Sequence, residues 1–139
     1  MSTRRKLILG MMAAGLGLGG ISPAIAAAAA RRSRAMVALD PDNSGTVSLA
    51  EAKKGGAAVF DRLDRGRKGV ANRRELGGRV TPAEFAAADP DKDGTLTKEE
   101  YLTVVERRFK AADPDNDGTL DEKELRTRAG RALLRLVLW

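Results

Sequence analysis

Oxygen-bearing side chains at fixed spacing are the part of this 139-residue chain best equipped for chemistry. Three twelve-residue stretches, Asp40–Glu51, Asp89–Glu100 and Asp113–Glu124, share one plan. The first sets Asp40, Asp42, Ser44, Thr46, Ser48 and Glu51 at positions 1, 3, 5, 7, 9 and 12. The second sets Asp89, Asp91, Asp93, Thr95, Thr97 and Glu100 there, and the third Asp113, Asp115, Asp117, Thr119, Asp121 and Glu124. Such a set suits chelation of a hard divalent cation, which takes roughly 6–8 oxygens at about 2.3–2.6 Å without strict geometry. Positions 1, 3 and 5 offer side-chain oxygens and position 7 a backbone carbonyl. Position 9 often acts through water, and a glutamate at 12 binds with both oxygens. Gly45, Gly94 and Gly118 hold position 6, where the sharp turn needs a residue without Cβ. Pro41, Pro90 and Pro114 fix φ at position 2 and reduce the freedom of the open loop. A plain solvated turn also favours Asp, Asn, Gly and Pro. It needs no fixed spacing ending in glutamate, however, and its bare carboxylates would repel one another.

A fourth stretch, Asp64–Glu75, keeps the frame and loses the oxygens. Gly66 stands at position 3, and Lys68 at position 5 brings a cation toward the place a metal would take. Arg65, Arg67, Arg73 and Arg74 add repulsion. This loop is expected to bind nothing and to serve as a structural partner, with Lys68 or an arginine pairing Asp64 and Glu75. The four starts, at 40, 64, 89 and 113, are separated by 24, 25 and 24 residues, which marks an internal repeat.

The elements that position the loops repeat too. Met36, Phe60, Phe85 and Phe109 lie four residues ahead of each loop, with Leu39, Leu63, Ala88 and Ala112 just before it. That spacing is one face of an entering helix. Loop position 8 is always apolar (Val47, Ala71, Leu96 and Leu120), which suits a short inward strand pairing with a partner loop.

On these residues the chain resembles the EF-hand family in its compact bacterial multi-hand form, over nearly everything after about residue 35. Loops 89–100 and 113–124 fit the full D-x-[DN]-x-[DN]-G-x5-E pattern, and loop 40–51 departs from it only by Ser44. The resemblance implies an all-α chain of helix-loop-helix repeats that binds about three calcium ions (Ca2+) through the side chains named above. Carboxylate count ranks the sites: loop 113–124, then loop 89–100, then loop 40–51, which in chain order are the fourth, third and first loops. The four loops are expected in two consecutive pairs, within 31–78 and 79–139. Only 12 residues link Glu51 to Asp64 and Glu100 to Asp113, and 13 link Glu75 to Asp89. Gly55-Gly56 is expected to break the first linker into two short helices. Gly77-Gly78 breaks the second, where Thr81 to Glu84 reads as a capping box opening a new helix. The third has neither Gly nor Pro, which predicts one continuous helix over Lys98–Ala112.

Ahead of the repeat, Met1–Ala26 reads as a secretory signal peptide, residues 1–26. Arg4, Arg5 and Lys6 precede an apolar stretch from Leu7 to Ile21, and Ala24 and Ala26 stand in the A-x-A positions. An uncleaved anchor is the competing reading, weakened by Gly10, Gly15, Gly17, Gly19 and Gly20. Thr3 to Ile8 also resembles a twin-arginine export signal. Either route predicts a periplasmic or secreted mature chain. Loss of the three bases would lower the net charge from +6 to +3.

Composition removes other functions. Without Cys or His there are no thiols, imidazole bases or usual zinc ligands, so triad hydrolases and zinc enzymes are excluded and no enzyme is expected. Aromatics at 4% and mixed charge signs argue against a nucleic-acid partner. After the leader, Met36 is the only methionine, which favours calcium buffering or calcium-stiffened structure over a Met-rich sensor groove. The tail places Arg126, Arg128, Arg131 and Arg135 among Leu125, Leu133, Leu134, Leu136, Val137, Leu138 and Trp139. Two readings follow: the last exit helix covering the core, or a basic amphipathic helix docking on an anionic membrane or a protein partner.

Overall fold

The structure, a computed structural model, describes residues 32–139; the expected signal peptide lies outside the described residues. The chain runs α1 (Arg34–Leu39), β1 (Val47–Ser48), α2 (Leu49–Leu63), β2 (Val70–Asn72), α3 (Arg73–Leu76), α4 (Pro82–Ala88), β3 (Thr95–Thr97), α5 (Lys98–Ala112), β4 (Thr119–Leu120), α6 (Glu122–Arg126) and α7 (Arg128–Val137). The apolar residues ahead of each loop are buried in one cluster, Met36, Phe60, Phe85 and Phe109 among them. Phe60 and Tyr101 meet at its centre, with ring centroids 5.5 Å apart.

The helices that leave the loops start where the loop chemistry ends. Loop position 9 is the N-cap and loop position 12 the third helical residue in all four repeats. Capping boxes form at Ser48–Glu51, Asn72–Glu75, Thr97–Glu100 and Asp121–Glu124. Each glutamate thus satisfies an orphan backbone N–H at a helix start, a role needing no ion. That explains why Glu75 persists in the eroded loop.

Loop pairing corrects the expectation of consecutive pairs. β1 pairs antiparallel with β4, setting Val47 opposite Leu120, and β2 with β3, setting Ala71 opposite Leu96. The first loop therefore partners the fourth, and the second partners the third. Residues 32–139 form one unit rather than two halves divided at 78. Helix length is the cause. α2 and α5 are each 15 residues, so each spans about 22 Å and holds its two loops at opposite ends, too far apart to pair. Laid antiparallel, the two helices bring loops from different halves together at both ends. Lys53 reaches Glu106 at 2.8 Å and Lys98 reaches Asp61 at 2.5 Å, one ion pair toward each end of the crossing.

Gly55 and Gly56 do not break α2, contrary to expectation. A Cβ at Gly55 would lie 2.8 Å from Leu39 Cδ2 and 2.9 Å from the Val137 carbonyl. At Gly56 it would lie 2.9 Å from Val105 Cγ2. The pair is a notch on two sides of the helix where α1, α5 and the end of α7 approach. Packing there outweighs a propensity cost of about 1 kcal/mol per glycine. The second linker follows expectation: Gly77, at φ 57°, ends α3 and Thr81 caps α4. So does the third, with α5 continuous over Lys98–Ala112.

The tail covers the core, in two pieces. Thr127 ends α6 and caps α7; its hydroxyl donates to the Glu124 carbonyl at 2.7 Å and accepts from the Gly130 N–H at 3.0 Å. Leu133, Leu136 and Val137 of α7 are buried. The apolar half that membrane docking would have used is therefore committed inward. Tyr101 fastens the far end, its hydroxyl donating to the Leu136 carbonyl at 2.7 Å in a fully buried setting. Tyr101→Phe is expected to cost about 1–3 kcal/mol in chemical denaturation, because it leaves a last-turn carbonyl buried without a donor.

Candidate metal centre

All four loops bend the same way, whatever their acids. Position 4 takes a left-handed backbone at Asn43, Arg67, Lys92 and Asn116, with φ of 59°, 50°, 56° and 56°. Gly45, Gly69, Gly94 and Gly118 at position 6 have φ of 91°, 78°, 79° and 84°. This double reversal aims backbone N–H groups into each loop, where they fix the first aspartate. Gly45 N–H donates to Asp40 Oδ2 at 2.9 Å, Gly69 to Asp64 Oδ2 at 2.7 Å, and Gly94 and Gly118 to Asp89 and Asp113 Oδ2 at 3.0 Å. All four of these aspartates are buried.

Three loops then gather acids. Asp40, Asp42 and Glu51 bring one carboxylate oxygen each within 4.8 Å of one another, as do Asp89, Asp91 and Asp93, and Asp113, Asp115 and Asp117. Ser44 sits within the first group, its hydroxyl 3.3 Å from Asp40 Oδ1 and 3.1 Å from the Thr46 carbonyl. Thr95 and Thr119 turn their hydroxyls onto Asp93 and Asp117, at 2.8 and 2.9 Å. Ser48 and Thr97 act as helix caps, bonded to Glu51 and Glu100, and Asp121 accepts the Lys123 and Glu124 N–H groups at 2.8 Å. Glu100 and Glu124 stand as the third helical residues after their loops, each with Oε2 held by a position 9 N–H, at 2.7 and 2.8 Å.

Raised carboxyls occur in the third and fourth loops and not in the eroded one. Asp91 lies against Asp89, and Asp115 against Asp113; that contact, with repulsion from the position 5 aspartate, pushes both carboxyls above their ordinary range. Glu124 accepts the Asp121 N–H, which lowers it, but burial and the charges of Asp115, Asp121 and Asp117 leave it raised. Burial raises Asp40 and Asp89 as well, yet their hydrogen-bond donors outweigh it and hold both below the usual value. Within the eroded loop both acids are lowered. The Lys68 N–H leads at Asp64, and at Glu75 the Asn72 N–H is followed by the Lys68 ammonium, 3.1 Å from Oε1. Lys68 thus pairs Glu75 as expected, while backbone N–H groups hold Asp64.

The donor set fits a hard cation. Asp113 Oδ1 is buried without a hydrogen-bond partner, an oxygen left for a metal at the head of the most acidic loop. Position 5 in the eroded loop carries an ammonium, paired with Glu75 Oε1 at 3.1 Å, where the others carry acceptors. The EF hand family model matches residues 83–105 and 104–127, two adjacent copies that span the third and fourth loops. Over residues 83–127 the chain is similar to the EF-hand family. No curated protein matches it.

One contact at loop 40–51 was invisible in its twelve residues. Arg32, eight residues ahead of the loop, sets its guanidinium 3.4 Å from Asp40 Oδ2 and 2.8 Å from Asn43 Oδ1. A fixed positive charge beside position 1 disfavours a second cation there. Loop 40–51 also carries fewer carboxylates than loops 89–100 and 113–124.

Proposed function

We propose that the mature chain is an exported calcium buffer or calcium-stabilised structural module. In this reading loops 40–51, 89–100 and 113–124 hold one calcium ion each, and loop 64–75 holds none. The observation that carries it is the contrast between loops sharing one backbone. Loops 40–51, 89–100 and 113–124 each bring three carboxylate oxygens within 4.8 Å of one another, whereas the eroded loop sets the Lys68 ammonium 3.1 Å from Glu75. Calcium supplies the missing positive charge. The chain's residues do the rest: position 1 is fixed by N–H groups, position 12 stands at a rigid helix start, and the paired strands hold two loops in register.

Holding rather than sensing is supported by the surface. Met36 is buried, and among the described residues the exposed large apolar side chains are Val37 and Trp139. Export rests on the shape of the first 26 residues, and mass spectrometry of the periplasmic or secreted form is expected to find a mature N-terminus near Ala27.

A calcium titration by calorimetry is expected to fit three ions per chain, with Lys68→Asp insufficient to create a fourth because Gly66 still lacks an oxygen. Saturation at about a thousand times Kd adds about 4 kcal/mol of stability per site, so a chelator is expected to lower the melting temperature sharply. Hydrophobic-dye fluorescence should fall or stay level on filling. A stoichiometry of four, or no heat and no thermal shift in millimolar calcium, would overturn the reading; a rise in dye binding would turn it toward a sensor.

A further inference from the structure

A cleft of about 560 Å³ opens on a part of the surface to which no calcium-loop residue contributes. Six arginines line it, Arg79, Arg108, Arg126, Arg128, Arg131 and Arg135, and no acid does. They converge from four places: the turn between α3 and α4, the α5 helix, α6 and α7. Two form a fixed floor. The Arg108 side chain is only 10% exposed and grips both oxygens of Glu84 at 2.7 Å; it also donates to the carbonyls of Ala132 at 2.5 Å and Arg79 at 2.9 Å. Arg79 donates to the Arg135 and Leu138 carbonyls at 2.5 and 2.8 Å, and its guanidinium lies 5.0 Å from the centre of the Trp139 ring.

The remaining arginines differ in their occupation. Arg126 is paired with Glu122 at 2.9 Å. Arg128, Arg131 and Arg135 make no ion pair among the described residues, yet recur every three or four residues along one face of α7, and all three line the one cleft. Core packing explains Leu133 and Leu136 on the other face; it gives no reason for three unpaired guanidinium groups beside three more. An anion in the cleft would relieve their mutual repulsion.

We propose that this cleft binds a phosphate monoester. Guanidinium forks donate two parallel hydrogen bonds each. A monoester presents three terminal oxygens and nearly two negative charges at neutral pH, which several forks can share. A carboxylate has two coplanar oxygens and accepts one fork well. The cleft's volume lies in the range of small-molecule sites, larger than a bare ion requires. The ester's source is a soluble metabolite or a lipid headgroup, and the chemistry of recognition is the same.

The test uses the full mature chain with calcium present throughout. Glycerol 1-phosphate is titrated by calorimetry, with succinate as a dicarboxylate of similar charge, and capture is measured on phosphatidylcholine vesicles with and without phosphatidic acid. Binding of either phosphate form is expected, with succinate weaker by about tenfold or more. Arg128→Gln/Arg131→Gln/Arg135→Gln should lose at least about tenfold in affinity while its calcium titration and melting temperature stay unchanged, because none of the three contacts the loops. The corresponding triple Lys variant should lose a few-fold, keeping charge but not the fork. Heat with the soluble ester identifies a metabolite site, and capture on phosphatidic acid alone identifies a headgroup site. Unaltered affinity in the Gln variant, equal binding of succinate, or neither heat nor capture would overturn the proposal. Calcium binding is measured separately, so failure here leaves that reading standing.

Discussion

Gly130→Ala is expected to destabilise the protein by at least about 3 kcal/mol, although the same change inside an ordinary exposed helix stabilises by about 1 kcal/mol. The two rules give opposite signs, which makes the substitution informative. Gly130 sits in the first turn of α7, directly over the end of α6. A Cβ there would overlap the Glu124 carbonyl and lie 2.6 Å from Leu125 Cα and 2.7 Å from Leu125 C. These are backbone atoms and cannot rotate aside, so α6 and α7 must separate. Separation opens the Thr127 corner, which ties the Glu124 carbonyl to the Gly130 N–H. It also lifts Leu133, Leu136 and Val137 from a core in which they are at most 3% exposed. A total stability of about 5–15 kcal/mol leaves little to absorb this. Thermal denaturation should show a melting temperature lower by roughly 10–20 °C. An unchanged or higher value would mean that the corner opens freely.

What the sequence disclosed and what it hid divide along a physical line. Loop frames, the Thr81–Glu84 capping box, the buried residues ahead of each loop and the unbroken α5 all depend on neighbours within a few positions. Spacing alone therefore exposed them. The partner of each loop depends on something else. A strand of two or three residues, such as Val47–Ser48 or Thr119–Leu120, carries too little pattern to choose a mate. Helix length made the choice, and that length was misjudged because Gly55-Gly56 has the same letters whether it breaks a helix or makes room for Leu39 and Val105. Only the approaching helices distinguish the two. Arg32 was missed because it reaches loop 40–51 from outside, and the arginine cleft because its lining is gathered from residues 78 to 135 by folding.

Nesting of the loops also predicts which of the proposed calcium sites communicate. Glu124→Gln is expected to weaken calcium binding at loop 40–51 by about tenfold and at loop 89–100 by twofold or less, a coupling of the usual allosteric size. Glutamine keeps the capping box intact, so the change removes a ligand charge without unravelling α6. The fourth loop reaches the first through the backbone pairing of Val47 with Leu120 and Ser48 with Thr119. Glu122, two residues before Glu124, accepts the Ser33 hydroxyl and N–H at 3.2 and 3.3 Å at the entrance to α1. An unfilled fourth loop therefore loosens both the strand and the entering helix of the first. By contrast, the third loop leans on the second, which Lys68 and Glu75 hold in shape without any ion. Amide signals of Gly45, Gly94 and Gly118 report each loop separately in a calcium titration followed by NMR. In the variant the Gly45 midpoint should move to higher calcium, with Gly94 nearly fixed. Reciprocity requires Glu51→Gln to weaken the fourth site by the same factor. Movement of Gly94 with Gly45 fixed would mean that coupling runs along α5 instead, and that strand pairing transmits nothing.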